Sequence, residues 1–459
     1  RLVSTSGLTL GYDAMGRITG SNGLSITRNA AGRIVSITRS TGKTVSYTYN
    51  NRGFVSRVSD WLGGNTDLAY DDAGRLISLS RPNGVTTTYD YDGDGRLTAI
   101  AESQGGTISS VVLSRNAAGE IVSANREVPS LPDLTLPTAS YAFNSAGQIV
   151  GGGYTYDGMG RLTYDGARSY AWDLASRLAS IAQGGNTDTF AYDGLGMRTS
   201  RISGGITTGY IWNYALGIPS IAVVTRDGSD HHYYVNLPDG RLLYRIAAAD
   251  NSRHFYHFDE MGTTLFLTDG SGAVTESYGI TPTGRLTAAG GSADNPFTFL
   301  GAYGVLQEGN TGLYYMRARY YDCITGRFIS PDPVASTHPL ETNPYQYVRA
   351  NPLKNRDPLG LQPQPQVHSW DMFMSSPEIE QALVGLEQAG LQVRGKIQKI
   401  EVIQQEGIPP RFVLVIRVDK YGKPMDTRET EIMQGRPAAA KHLLMVSVGM
   451  TPGYTEGSY

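Results

Sequence analysis

The sequence contains a single cysteine, Cys323, in 459 residues, so no internal disulfide can form. Charge is scarce: Asp, Glu, Lys and Arg together make up 18%, with a formal net charge of −3. That balance gives no bulk electrostatic argument for nucleic acid or a membrane surface. No apolar run approaches the roughly 18 residues of a spanning helix. The start, Arg1-Leu2-Val3-Ser4-Thr5, has neither an initiator Met nor a signal-peptide pattern, so the chain reads as a piece of something longer. The glycines keep no three-residue period, which excludes collagen. What is abundant is glycine, 56 residues, and tyrosine, 29, within a 40% apolar composition. Such a chain can bury a core and is not disordered. Its excess of turn formers and aromatics points to β structure.

A six-residue unit recurs: aromatic, Asp or Asn, two variable residues, Gly, then usually Arg. It reads Tyr12-Asp13-Ala14-Met15-Gly16-Arg17, and returns at Tyr70 to Arg75, Tyr91 to Arg96 and Tyr156 to Arg161. Looser copies begin at Arg28, Tyr49, Arg115, Phe143, Trp172 and Tyr192. An Asp or Asn side chain can bond the backbone two residues on and start a turn, which a glycine at positive φ closes. The flanks alternate, as in Arg75-Leu76-Ile77-Ser78-Leu79, so each unit predicts a β-hairpin. One hairpin is marginal in water, and stacking many into a long sheet buries the aromatic rows.

These repeats resemble the tyrosine–aspartate (YD) repeats of Rhs proteins, Tc-toxin C components and teneurins. The resemblance covers roughly residues 1–361. It implies a mainly β fold in which the hairpin array spirals into a hollow shell. From His254 the pattern becomes denser in aromatics, through Gly312-Leu313-Tyr314-Tyr315-Met316-Arg317-Ala318-Arg319-Tyr320-Tyr321-Asp322 to Thr325-Gly326-Arg327-Phe328. That stretch looks like the Rhs core-associated domain. The implied division is 1–253 as YD-repeat shell, 254–361 as core-associated domain and 362–459 as a variable effector. The family usually has Pro after Tyr-Tyr-Asp, where this chain has Cys323, read as a small buried residue.

Eight of the 22 prolines fall within residues 331–365, including two Asp-Pro pairs at Asp332 and Asp357. Proline fixes φ and favours extended neighbours, so this segment predicts a rigid strap, not a helix. Two carboxylates forced together share a proton: one can activate water while the other protonates a carbonyl, and the pair titrates as a unit. The plainer alternative is that each Asp caps a turn before proline. The stretch from Pro352 to Leu361, with Asp357-Pro358-Leu359-Gly360-Leu361 at its end, matches the Rhs pattern Pro-x-x-x-x-Asp-Pro-x-Gly-Leu. The resemblance implies an intramolecular aspartate peptidase with Asp332 and Asp357 as the dyad, Arg319 as the helping arginine and Arg327 as its rival. The implied cut lies between Leu361 and Gln362. The first Asp-Pro pair departs from the family by lacking a following Gly-Leu.

Past Leu361 the repeats stop. Ser376-Pro377-Glu378 predicts a helix start and Gly390 its end, with strands expected at 393–404, 411–419 and 443–448. The expectation is a small α+β domain. It holds ten Lys plus Arg against eleven Asp plus Glu, no Cys, no metal-spaced His pair and no phosphate loop, so neither a metal nor a cofactor is expected. Glu401, Arg417, Lys420 and His442 are its candidate base, acid and cations for a nuclease-like reaction. By the resemblance, the tail is a toxin carried as cargo and cut free. Its expected partners are a cognate immunity protein, secretion-system components and an N-terminal shell portion or partner chain. The expected destination is secretion or injection by bacteria. The alternative is a structural or adhesive cell-surface protein without toxin activity.

Overall fold

The computed structural model describes residues 1–361 except 118, 137–138, 292–293, 310 and 335–342. Beyond 361 it describes the strands Gln364–Pro365, Ile397–Ile403, Arg411–Arg417 and Leu443–Gly449. The chain divides into two compact units, Leu2–Gln366 and Val367–Tyr459, the latter grouped with Arg1.

The first unit is built from antiparallel sheets in which neighbours in sequence are neighbours in space. Thirteen strands from Ser4–Thr5 to Ile121–Glu127 form one sheet, and fourteen from Tyr154–Tyr156 to Leu286–Gly290 form another. The mainly β hairpin array expected from the repeats is therefore observed. Among the described residues, no helix is long and apolar enough to cross a membrane.

The repeat unit explains itself at atomic level. Asp71 N–H donates to Arg75 O at 3.0 Å and Gly74 N–H to Asp71 O at 3.0 Å, which closes the turn. Asp71 Oδ1 accepts from Arg75 N–H at 2.9 Å, and Oδ2 accepts from Arg75 Nε at 2.6 Å. Gly74 sits at φ +84, where a side chain is disfavoured. The aromatic has a role that the spacing alone did not show: it docks onto the preceding repeat. Tyr91 Oη donates to Leu76 O at 2.8 Å, and its ring lies 4.7 Å beneath the Arg75 guanidinium. Tyr192 repeats the arrangement with Leu178 O and Arg177, and Trp172 with Leu162 O and Arg161. Each unit is thus hydrogen-bonded and cation–π-stacked to its neighbour. Replacing Asp71 by Ala removes these acceptors and is expected to cost about 1 kcal/mol in chemical denaturation. Asp71→Asn keeps the backbone acceptor and is expected to cost less, which accounts for Asn at Asn29 and Asn50.

Early strands alternate, as in Leu24–Arg28, where buried Leu24 and Ile26 flank exposed Ser25. Later strands are covered on both faces: Thr264–Thr268 and Leu313–Met316 are buried at every residue. The second sheet runs through residue 254 without a break, Leu242–Ala247 pairing with Arg253–Phe258 and that with Thr264–Thr268. The change of sequence pattern there is one of burial. The two sheets share a core in which Ile26, Val45, Tyr47 and Val58 meet Val223, Tyr233, Val235 and Tyr244. Arg253 grips Asp60 across it with two bonds of 2.8 Å.

A four-stranded sheet follows: Leu306–Gln307, Leu313–Met316, Arg319–Asp322 and Arg327–Phe328. Cys323 is buried beside it, and burial together with Asp322 pushes its thiol pKa up to about 12. In the second unit, Ile397–Ile403, Arg411–Arg417 and Leu443–Gly449 form an antiparallel sheet, matching the three strands expected there. The expected helix at 376–390 lies outside the described residues.

Candidate active site

The hairpin turn between Leu313–Met316 and Arg319–Asp322 holds the proline strap. Arg317 occupies the turn at φ +58. Three consecutive strap carbonyls are taken up in order: Pro358 O by Arg317 Nη1 at 2.7 Å, Leu359 O by Ala318 N–H at 3.1 Å, and Gly360 O by Arg319 Nε at 2.5 Å. Gly360 is required twice over. Its φ is +67, and a Cβ there would lie 2.5 Å from Met316 O and 2.9 Å from Arg319 N. Pro358 fixes the segment by its carbonyl, whereas Pro352 lies in the turn before Asn355–Arg356. Asn355–Arg356 pairs with Gln364–Pro365.

Arg319 is the centre of the cluster and is 3% exposed. Its guanidinium stacks 3.6 Å from the Phe328 ring centroid, and Nη1 donates to Pro344 O at 3.2 Å. Its Nη2 reaches Asp332 Oδ2 at 2.7 Å and Asp357 Oδ2 at 3.4 Å, and stands 3.5 Å from Leu361 O. One nitrogen thus addresses both aspartates and the carbonyl of the Leu361–Gln362 bond. Asp357 is 1% exposed, and its Oδ1 accepts from Leu361 N–H at 3.1 Å. Asp332 is more open; its backbone N–H donates to Pro344 O at 2.9 Å, and its Oδ1 accepts from Val334 N–H at 2.8 Å. Both acids cap turns beside proline, and both reach Arg319.

Burial drives the Asp357 carboxyl up to about 7 against the downward pull of Arg319, and burial also lowers the Arg319 pKa. A carboxyl that titrates near neutrality beside a second carboxylate can hold the single proton that acid–base chemistry needs.

Arg327, the rival arginine, turns elsewhere, donating to Gly147 O and to Asn343 Oδ1 at 3.0 Å. Gln362 lies outside the described residues, as do Lys420 and His442. Glu401 lies opposite Val413 in the ladder, and Arg417 opposite Leu443. Val413 and Arg417 are four residues apart on one strand, about 13 Å, so the ladder does not bring Glu401 and Arg417 together. Arg317 escaped sequence reasoning. Its only signal was the Arg-x-Arg spacing, whereas its environment is distinctive: a buried guanidinium that meets the carbonyls of Pro219, Tyr303 and Pro358.

A family model described as the teneurin YD-shell matches residues 85–353, and one described as the RHS repeat matches residues 28–64. The tRNA3(Ser)-specific nuclease WapA of Bacillus spizizenii is 28% identical over 274 residues, 56% of this chain and 11% of that protein. Double-stranded DNA deaminase toxin A of Burkholderia cenocepacia is 28% identical over 231 residues, 45% of this chain and 15% of that protein. The chain thus spans only a small part of the length of these relatives. The Photorhabdus luminescens Tc holotoxin pore superposes with a TM-score of 0.57 at 16% identity, over 77% of this chain and 22% of that one, a likeness of fold.

Proposed function

We propose, for a chain that belongs to the teneurin YD-shell family, that the Arg319–Asp332–Asp357 cluster cuts the Leu361–Gln362 bond and frees residues 362–459 as a toxin. The observation that carries the reading is the position of Arg319 Nη2, within reach of both aspartates and of Leu361 O. Buried Asp357 keeps a proton up to about pH 7, and Asp332, the more open acid, acts as the base. Asp332 takes a proton from water as its oxygen attacks the Leu361 carbonyl carbon. Asp357 supplies a proton to the tetrahedral centre, and Arg319 stabilises the charge developing on oxygen. As the centre collapses, Asp332 passes its proton to the nitrogen, the C–N bond breaks and a hydroxyl proton returns to Asp357, leaving a carboxylic acid on Leu361 and a free amine on Gln362. The reaction runs once per chain, because its substrate is the strap.

The shared proton sets the pH dependence. Cleavage is expected to slow as pH rises through about 7, where Asp357 ionises. Full-length chain released from denaturant into buffers from pH 5 to 9 should cut more slowly above about pH 7, and a flat profile would remove the dyad. The same shift bears on stability. The folded protein keeps a proton that the unfolded chain releases between about pH 4 and 7, so this group's contribution falls as pH rises through that window.

The toxin half of the reading rests on the relatives' names, a nuclease and a deaminase toxin, and on a separate C-terminal unit. Its carrier is the YD-repeat array, which we take to enclose the tail, alone or completed by an N-terminal portion or partner chain. An immunity protein would guard the producer, and export would deliver the product to bacterial competitors or a host. Expression of residues 362–459 in bacteria tests it: arrested growth is expected, and normal growth with soluble, folded product would contradict it.

A further inference from the structure

Adjacent residues of an extended strand face opposite ways. His231 and His232, in the strand Ser229–Asn236, nevertheless bring their rings to a centroid separation of 4.0 Å. The cause is a bulge. Val224 pairs with His232 and Thr225 with Asp230, which leaves His231 with no ladder partner on the strand Ser220–Arg226. Bulges re-aim side chains in this way and are over-represented beside functional sites. Asp294, which follows the strand Leu286–Gly290, meets both rings. Its Oδ2 is 3.2 Å from His231 Nε2 and 3.9 Å from His232 Nε2. Ligating atoms of all three residues lie within 4.8 Å of one another.

We propose that His231, His232 and Asp294 bind one divalent zinc ion, with a fourth coordination position open. Zinc takes imidazole nitrogen and carboxylate oxygen at about 2.0–2.2 Å in tetrahedral geometry. Tetrahedral bonds of that length set ligand atoms about 3.3–3.4 Å apart, a spacing that the 3.2 and 3.9 Å separations approach. The surroundings orient the carboxylate: Oδ1 accepts from Arg226 Nη2 at 2.7 Å, and the Asp294 backbone O accepts from Arg245 Nη1 at 2.7 Å. Arg245 is itself paired with Glu276 at 2.8 Å. Metal ligation needs neutral imidazole. The bound ion would tie Asp294 to the strand Ser229–Asn236 and present an open position to water or a small anion.

The test uses the full chain, zinc chloride and cobalt chloride. After loading and desalting, about one zinc per chain should be retained, and cobalt should show the absorption of a tetrahedral site. His231→Gln and Asp294→Asn should each weaken zinc binding by more than about 100-fold, beyond what loss of an outer-shell group does. Circular dichroism of the metal-free variants should match the parent. Asp294→Asn also loses the Arg226 ion pair, so if it misfolds, the half-exposed His231→Gln carries the decision. No retained zinc, or zinc retained undiminished in the variants, overturns the proposal.

Discussion

Freshly expressed Asp357→Asn protein runs as one full-length band. Asparagine keeps the shape of the side chain and can still accept the Leu361 N–H, so the strap stays in place. It cannot hold the exchangeable proton that Asp357 keeps up to about pH 7. Loss of a positioned acid or base is expected to cost about 10²–10⁴-fold or more in rate. Asp332→Asn should have the same result from the other side of the pair, because a dyad with one carboxyl cannot divide the roles of acid and base. Arg319→Lys keeps a charge but loses the fork. A lysine cannot serve Gly360 O, Pro344 O and both aspartates at once, so it should cut far more slowly. The folding control is favourable: Asp357→Asn removes a desolvated ionisable group, and its melting temperature at pH 8 should not fall sharply. If Asp357→Asn cuts at the parental rate, Asp357 is a turn cap only.

Glu308→Gln should destabilise the first unit by about 3–5 kcal/mol, because it leaves a buried charge without its partner. Arg198 and Glu308 are each 1% exposed at the side chain and form a close ion pair. The guanidinium is caged by the rings of Phe190, Tyr210 and Tyr315 at 5.2, 4.9 and 4.6 Å. Aromatic faces favour a cation but cannot replace a carboxylate. Nearby, Trp212 donates to Arg198 O at 2.7 Å, and Tyr315 Oη accepts from Arg198 N–H at 2.9 Å. Glu308 follows Leu306–Gln307 and precedes Leu313–Met316, the hairpin that leads into Arg319, so the loss should also slow cleavage. Replacing both partners, Arg198→Met with Glu308→Leu, should cost less than either single change, since neither charge is then stranded. Denaturant unfolding of the four proteins checks this. Near-additive single costs would mean that the pair is not coupled.

Much of the fold was legible because a few residues dictate each turn locally. Asp71 starts one, Gly74 closes it, and Arg75 locks it with its own side chain, all within five positions. Docking of Tyr91 onto the previous turn was less legible, because Leu76 lies fifteen positions back and only the accumulated repeat aligns the two. The candidate site was found through the resemblance of its motif to the Rhs pattern. Arg319 and Asp357 lie 38 positions apart, and no periodicity joins them. Other features depend on register that the sequence does not display. Nothing in the sequence of Ser229–Asn236 marks the bulge that turns His231 toward His232. Arg198 and Glu308 are 110 positions apart and look like ordinary surface charges until the strands cover them. In the tail, alternation located three strands, but nothing in their ladder assembles Glu401 with Arg417.

The central claim is that this chain cuts itself after Leu361. Intact-mass measurement of freshly purified wild-type protein, with sequencing of the new N-terminus, tests it most directly. The account predicts two species, residues 1–361 and a 98-residue fragment that begins at Gln362. A single species at the full mass of 49.6 kDa, from protein whose melting shows a folded first unit, would contradict it.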